Sequence, residues 1–160
     1  MTLLRQGYGG RAIALTETPF DPGVLLSEFS QGRREVGAVA TFTGIARAEA
    51  GETTTLELEA YPGFTEGEIG RIADEARTRF ALDDLMIRHR VGKIAPGEPI
   101  VFVATAAKHR RAAFEACDYL MDYLKSRAPF WKKEHGPDGA RWIEPRAEDH
   151  ADIARWEETP

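Results

Sequence analysis

Residues 123–134 read YLKSRAPFWKKE. Lys125 and Lys132 stand seven residues apart, the spacing of one helical face over two turns. Pro129 lies between them, and a proline lacks the backbone N–H and clashes with the preceding turn, so a single helix cannot carry both lysines. The chain must turn a corner there. Phe130 and Trp131 are both expected to anchor the outgoing segment in the core, so that Lys132 returns toward Lys125 by a different route.

Working backward, a helix is predicted from about Lys108 to Arg127. Phe114, Cys117, Met121 and Leu124 follow one another at spacings of three and four, which defines a core-facing stripe. Four residues before Phe114 the same stripe reaches Arg110, whose guanidinium is costly to bury unless something anionic meets it. The stretch KHRR at 108–111 also sets positive charge at the positive end of the helix dipole. A bound phosphate or carboxylate would reverse that penalty, because free N–H groups, dipole and side chains would all point at one anion. The plainer alternatives are side chains reaching into solvent, an intramolecular salt bridge, or contact with a partner's acidic surface. Lys125 borders the apolar stripe, where partial desolvation would turn an ammonium into a usable nucleophile, base or proton donor. A solvated lysine stabilised by the helix C-terminus is the simpler reading. Arg110 and Lys125 are fifteen residues apart, about 22 Å along a helix at 1.5 Å per residue. They serve one small substrate only if Arg110 comes from a second copy across a two-fold interface.

The rest of the chain reads as short, punctuated elements. Residues 1–20 are expected to be a loosely ordered N-terminus. Asp21 caps a short helix with Pro22 in its first position and Val24, Leu25 and Phe29 on one side. EVGAVATFTG at 35–44 and PIVFVATA at 99–106 read as buried strands, while TTTLELEA at 53–60 and LMIRHRVG at 85–92 alternate as half-buried strands do. The strands at 35–44 and 53–60 are expected to pair across the loop at 45–52. Thr65-Glu66-Gly67-Glu68 has the pattern of a capping box, and Ile69, Ile72, Ala73, Ala76 and Phe80 then recur at helical spacing. EDHADIARWEE, near the end, reads as a terminal helix. Helices and strands mix without regular βαβ spacing, which predicts an α+β fold with a largely antiparallel sheet, in one domain over 1–160.

Charge and composition bound the function. The 160 residues carry a net charge of −5, so a polyanion partner would need a strong local basic face, and nucleic-acid binding is disfavoured. No apolar run approaches the ~20 residues of a membrane helix, and the N-terminus lacks a secretory pattern, so the cytoplasm is the expected compartment. The single Cys117 excludes an internal disulfide and reads as a small buried hydrophobe. Histidines at 89, 109, 135 and 150 lack close ligand spacing, so no metal site is expected. Without further information the same cations also suit a non-enzymatic module that binds an acidic surface or a C-terminal tail.

The segments GAVATFTGIAR at 37–47, LELEAYPGFTE at 56–66, IRHRVGKIAPGE at 87–98 and above all FEACDYLMDYLKSRAPFWKKE at 114–134 together resemble the large, catalytic subunit of molybdopterin synthase. The resemblance runs from about Val36 to Arg146. It implies an α/β hammerhead with an added antiparallel β subdomain. It also implies a sulfurtransferase that makes the dithiolene of molybdopterin from cyclic pyranopterin monophosphate. The sulfur donor would be the C-terminal Gly-Gly thiocarboxylate of a small ubiquitin-like partner, and two large subunits would form the centre of a heterotetramer. No cofactor is implied. By matching motif, Lys125 and Lys132 correspond to the family's catalytic lysines, and His109 and Arg110 to its substrate-binding pair. Arg47 matches the arginine that closes TFTG-x-x-R, and Arg146 matches a further pocket arginine. Ile45 and Ala46 beside Arg47, and Lys133 and Glu134 beside Lys132, complete the implied binding set. The chain departs from the family where Ile45 replaces a frequent lysine and where Ala48-Glu49-Ala50 replaces polar residues.

Overall fold

The computed structural model describes residues 12–48, 54–144 and 147–157. Arg146, Glu49 and Ala50 therefore lie outside the described residues. In chain order the elements are β1 (Ile13–Thr16), α1 (Pro22–Ser30), β2 (Ala38–Ile45), β3 (Thr55–Ala60), α2 (Phe64–Arg79), β4 (Asp84–Arg90) and β5 (Gly92–Ile94). Then come β6 (Pro99–Ala107), α3 (Arg110–Ser126), β7 (Phe130–Gly136), β8 (Gly139–Ile143), α4 (Ala147–Asp152) and α5 (Ala154–Glu157). The class is α+β, as expected, but the strands form two four-stranded sheets.

The first sheet has the order β1-β4-β6-β2, with β1 parallel to β4 and the other pairs antiparallel. Its centre is β6, whose continuous apolar run is buried over Val101–Ala107. Alternate residues of β4 and β6 feed two cores. Leu85, Ile87, Val101 and Val103 pack with Ile69, Ile72, Ala73 and Ala76 of α2 and with Ala113, Leu120 and Leu124 of α3. Met86, Phe102, Ala104 and Ala106 pack on the other side with Phe29 of α1. Helices on both faces bury Leu85, Met86 and Ile87 of β4, which alternates in sequence, and farther along it Arg88, His89 and Arg90 are at most 8% exposed as well.

The second sheet, β5-β3-β7-β8, is antiparallel throughout. The expected pairing of 35–44 with 53–60 does not occur. β2 instead pairs with β6 from Ala38↔Ala107 onward, with a register shift at Gly44/Ile45, while β3 takes β5 and β7 as neighbours. The physical reason lies in the patterns. The small, β-branched β2 complements the apolar β6, whereas the Leu-Glu alternation of β3 suits a sheet with one wet face.

Four further expectations are corrected. Residues 13–16, assigned to a loose N-terminus, form the edge strand β1. In α1, Asp21 caps the helix as predicted, accepting from the Gly23 and Val24 N–H groups, but Val24 is 51% exposed and only Leu25 and Phe29 face inward. In α2 the helix begins at Phe64 with Gly63 as its cap at φ 79°, and Thr65 is buried within the first turn instead of capping it. In α3 the buried face runs through Ala113, Ala116, Cys117, Leu120 and Leu124, while Phe114 is 66% exposed and Arg110 is exposed too. The first turns of α3 meet the sheet through alanines, and the Thr105 hydroxyl donates to the Ala113 carbonyl at 2.7 Å. That close approach rotates the larger Phe114 and the guanidinium four residues earlier away from the core.

Candidate functional site

The corner quoted first is built as the proline demands. α3 ends at Ser126; the N–H groups of Arg127 and Ala128 both donate to the Tyr123 carbonyl. The chain then enters β7 through Pro129, whose carbonyl accepts the Thr65 hydroxyl at 2.8 Å. Phe130 and Trp131 are not both anchors. They are consecutive on a strand and point to opposite faces, so Phe130 packs against the main core while Trp131 is 52% exposed. Lys132, two residues after Phe130, shares its face. Lys133 goes with Trp131 to the other face, where its Nζ lies 4.9 Å from the centre of the Trp142 ring. Glu134 returns to the Lys132 face and pairs with Arg141 at 3.1 Å. The site residues expected at 132–134 are thus split between two faces of the second sheet.

Lys125, in the last turn of α3, is exposed in this chain, so the residues here do not supply the desolvation its spacing suggested. Burial pushes the His89 imidazole of β4 down to about 4; the Arg90 carbonyl opposes that shift and the Lys125 charge adds to it. The His89 ring stacks on Phe130 with centroids 4.2 Å apart and planes inclined by 16°. His89 is thus joined through Phe130 to the face of β7 that bears Lys132, and its ring also feels the Lys125 charge.

The loop after β2 reaches the same face. Ala46 is buried against Leu58 and Ile94, and Leu58 is the cross-strand partner of Lys132. Ala46 is held by two backbone hydrogen bonds, its N–H to the Glu98 carbonyl at 2.9 Å and its carbonyl from the Gly97 N–H at 2.7 Å. Its N–H is thereby committed within the fold, and its evident role is to fix the loop. Ile45 is 56% exposed, and Arg47 is exposed directly after the pinned residue.

His109 and Arg110 stand at the other end of α3, separated from Lys125 by an unbroken helix. They line an open concavity of about 450 Å³ with Gly37, Lys108 and Arg111. Lys108 pairs with Asp83 at 3.3 Å and Arg111 with Glu115 at 3.8 Å. His109 and Arg110 have no ion pair among the described residues. Gly37 supplies the wall of this hollow. A Cβ there would fall 2.0 Å from the Lys108 carbonyl oxygen, so only glycine lets β2 pass so close to the start of α3. One chain thus presents two clusters, a cationic hollow and a lysine corner, that its own helix holds apart. Cys117 belongs to neither: its thiol is buried and pushed up to about 12, first by burial and then by Asp118, so it is unreactive.

The sequence reading gave His89, Gly37 and Thr65 no part in the site. For His89 a signal existed, since a histidine flanked by arginines in a strand between two apolar layers must be satisfied or used. For Gly37 and Thr65 the reason lies only in tertiary contacts.

The family model described as MoaE protein matches residues 15–127. The chain is 70% identical over 146 residues to the molybdopterin synthase catalytic subunit of Caulobacter vibrioides, covering 91% of this chain and 97% of that protein. Its fold superposes on the MoaE molybdopterin biosynthesis protein of Burkholderia ambifaria with a TM-score of 0.80 and 42% identity, over 92% of this chain and 99% of the other. Molybdopterin synthase from Staphylococcus aureus gives 0.76 at 30% identity, over 84% and 98%.

Proposed function

The chain belongs to the MoaE family of molybdopterin synthase catalytic subunits in molybdenum cofactor biosynthesis, and from that premise we propose that it is a sulfurtransferase acting at the lysine corner. A small ubiquitin-like partner supplies sulfur as a C-terminal glycine thiocarboxylate, and cyclic pyranopterin monophosphate accepts it. The thiocarboxylate sulfur attacks a side-chain carbon of the substrate and displaces an oxygen from it, and water then hydrolyses the acyl–sulfur bond, which leaves the sulfur on the pterin and returns the partner as a carboxylate. Two rounds complete the dithiolene.

Lys125 is the acid/base or transient covalent group, and Lys132 stabilises the negative charge that develops on the acyl oxygen. Arg47 directs a cation from the loop pinned at Ala46, with Arg146 as a further pocket arginine. His109 and Arg110 hold the phosphate and pterin, and the observation that carries this assignment is their lack of any ion pair among the described residues in a hollow lined by cations. Because an unbroken α3 separates them from Lys125 by about 22 Å, the working site is composite, with His109 and Arg110 supplied by a second copy within a heterotetramer. Phe114, 66% exposed one turn after Arg110, and Phe42, 40% exposed on the neighbouring strand, provide apolar surface for that copy to cover. The two sheets with their flanking helices fit the α/β hammerhead and antiparallel subdomain that the resemblance implies. A single domain working in the cytoplasm accords with the absence, among the described residues, of any helix long and apolar enough to cross a membrane.

The test is incubation of the protein with thiocarboxylated partner and the pterin substrate, scoring dithiolene product by mass. Wild type makes product and Lys125→Ala does not. Arg110→Ala and Lys125→Ala proteins, each inactive, recover part of the activity when mixed and allowed to exchange subunits. Near-wild-type turnover by Lys125→Ala would remove the chemistry from this corner, and no rescue despite proven exchange would remove the composite site.

A further inference from the structure

His89 is assigned no part in the chemistry above, yet it occupies the junction between the two lysine-bearing elements. It sits at the end of β4, 8% exposed. Its Nδ1 lies 2.8 Å from the Arg90 carbonyl, which fixes the ring's rotation and, in the uncharged ring, places the proton on Nδ1. Arg90 is itself tied down, donating from Nη1 to Glu98 at 3.0 Å and from Nη2 to the Lys93 carbonyl at 3.1 Å. The ring's flat face meets Phe130 at 4.2 Å and 16°. Phe130 is the first residue of β7, and Lys132 follows two residues later on the same face. Lys125 lies in the last turn of α3, and its charge acts on the His89 ring.

We propose that His89 is a positioning residue for the sulfur-transfer reaction: an imidazole plate, clamped by the Arg90 carbonyl and stacked on Phe130, that sets the start of β7 against the end of α3 and so fixes Lys132 relative to Lys125. The proposal rests on the reading that these two lysines do the chemistry. The corner between them has no regular structure over residues 127–129, so its geometry needs a support from outside. Thr65 supports the backbone at Pro129, and His89 supports the side chain that follows. An uncharged ring suits the place, because an imidazolium would repel the Lys125 ammonium, and burial pushes the ring toward the uncharged form. The plate acts through its flat face. An aromatic ring without nitrogens therefore retains the function, and a flexible polar side chain of similar reach does not.

The experiment compares His89→Ala, His89→Gln and His89→Phe in the full chain assembled with thiocarboxylated partner, at a temperature where circular dichroism shows each variant folded. His89→Ala and His89→Gln lower kcat by about 10- to 100-fold, the scale of a misplacement of about 1 Å at a reacting centre, with KM for the pterin substrate within about twofold of wild type. His89→Phe restores most of kcat. Phe130→Ala lowers kcat in the same way, and the double variant His89→Ala/Phe130→Ala is no worse than the poorer single variant, because both remove one contact. If His89→Ala does not fold, the Gln and Phe variants carry the comparison. Wild-type kcat in His89→Gln overturns the proposal. So does a folded His89→Phe as slow as His89→Gln, which assigns the role to a ring nitrogen, or a loss seen only in KM, which assigns it to substrate binding. Failure of the wild type to make product sinks the sulfur-transfer reading itself, whereas an active wild type with unaffected variants sinks only the role of His89.

Discussion

The hydroxyl of Thr65 in the first turn of α2 donates to the carbonyl of Pro129 at 2.8 Å and accepts the Tyr61 N–H at 2.9 Å. Two loops distant in sequence are thereby joined through one fully buried oxygen, and one of them is the corner between the proposed catalytic lysines. Thr65→Val keeps the shape and removes both bonds, leaving the part-buried Tyr61 N–H and Pro129 carbonyl without this partner. The expected loss is about 1–3 kcal/mol in urea unfolding, together with lower kcat. Stability equal to wild type would mean that water or a backbone shift satisfies both groups.

At the other end of α3 the constraint is steric. Gly37→Ala places a methyl carbon 2.0 Å from the Lys108 carbonyl oxygen, a backbone atom that cannot swing aside. Either β2 or the start of α3 must move, and His109 and Arg110 move with it. The expected outcome is weaker binding of the phosphate-bearing substrate, read as a raised KM or Kd, with the lysine corner intact. Wild-type affinity in Gly37→Ala would show that the hollow tolerates the displacement.

How far the sequence reveals this structure depends on which residues set each feature. The helical repeat of Ile69, Ile72, Ala73 and Ala76 and the apolar run of β6 are local patterns, and both elements appear as read. The turn at Pro129 was legible for the same reason, since a proline between two lysines is a covalent constraint. Partner choice between strands was not legible, because β2 and β3 are adjacent in sequence and separate into two sheets only through their long-range neighbours. The stripe through Phe114 failed because apolar spacing does not reveal how closely a helix approaches a sheet. At the start of α3 the alanines take the inner face. Likewise the alternation of β4 suggested a wet face that α1 in fact covers. Arg47, Lys125 and Lys132 could be nominated from motif, but the contacts of His89 with Phe130 and of Ala46 with Leu58 bring together residues remote in sequence.

Burial of His89 carries a pH signature. In the folded protein the imidazole is pushed down to about 4, against an ordinary value of 6.5 in the unfolded chain. Between those values the unfolded state binds the extra proton, so stability rises with pH across the window and is lost as pH falls through it. The expected loss between pH 6.5 and pH 4 is up to about 3 kcal/mol, since each pH unit between the folded and unfolded values contributes about 1.4 kcal/mol. His89→Phe lacks the titrating group and should show a flatter acid limb in denaturant melts between those pH values. Identical acid limbs for the two proteins would mean that His89 is as easily protonated folded as unfolded.

The C-terminal segment is fastened to α3 one turn before Lys125. The Asp122 carboxylate, 9% exposed, accepts from the Arg155 guanidinium and from Trp156 Nε1 at 2.6 Å. Trp156 also meets Phe80 and Tyr119 edge-on at 5.9 and 5.5 Å, which closes an aromatic cluster between α2 and α3. The carboxylate organises this contact because a single Oδ2 receives both side chains, one of them charged, away from solvent. Asp122→Asn preserves the volume and removes the charge, leaving one neutral oxygen to accept from both Arg155 and Trp156. It should therefore release α5 while leaving the apolar core of α3 intact. The expected result is a loss of amide-exchange protection in α4 and α5, with a stability decrease of about 1–3 kcal/mol. Asp118→Asn serves as the control: Asp118 also pairs with Arg155, at 2.8 Å, but is 53% exposed, so its removal should cost less than about 1 kcal/mol. Equal effects of the two substitutions would show that the ion pair to Arg155, and not the buried bond to Trp156, holds the segment.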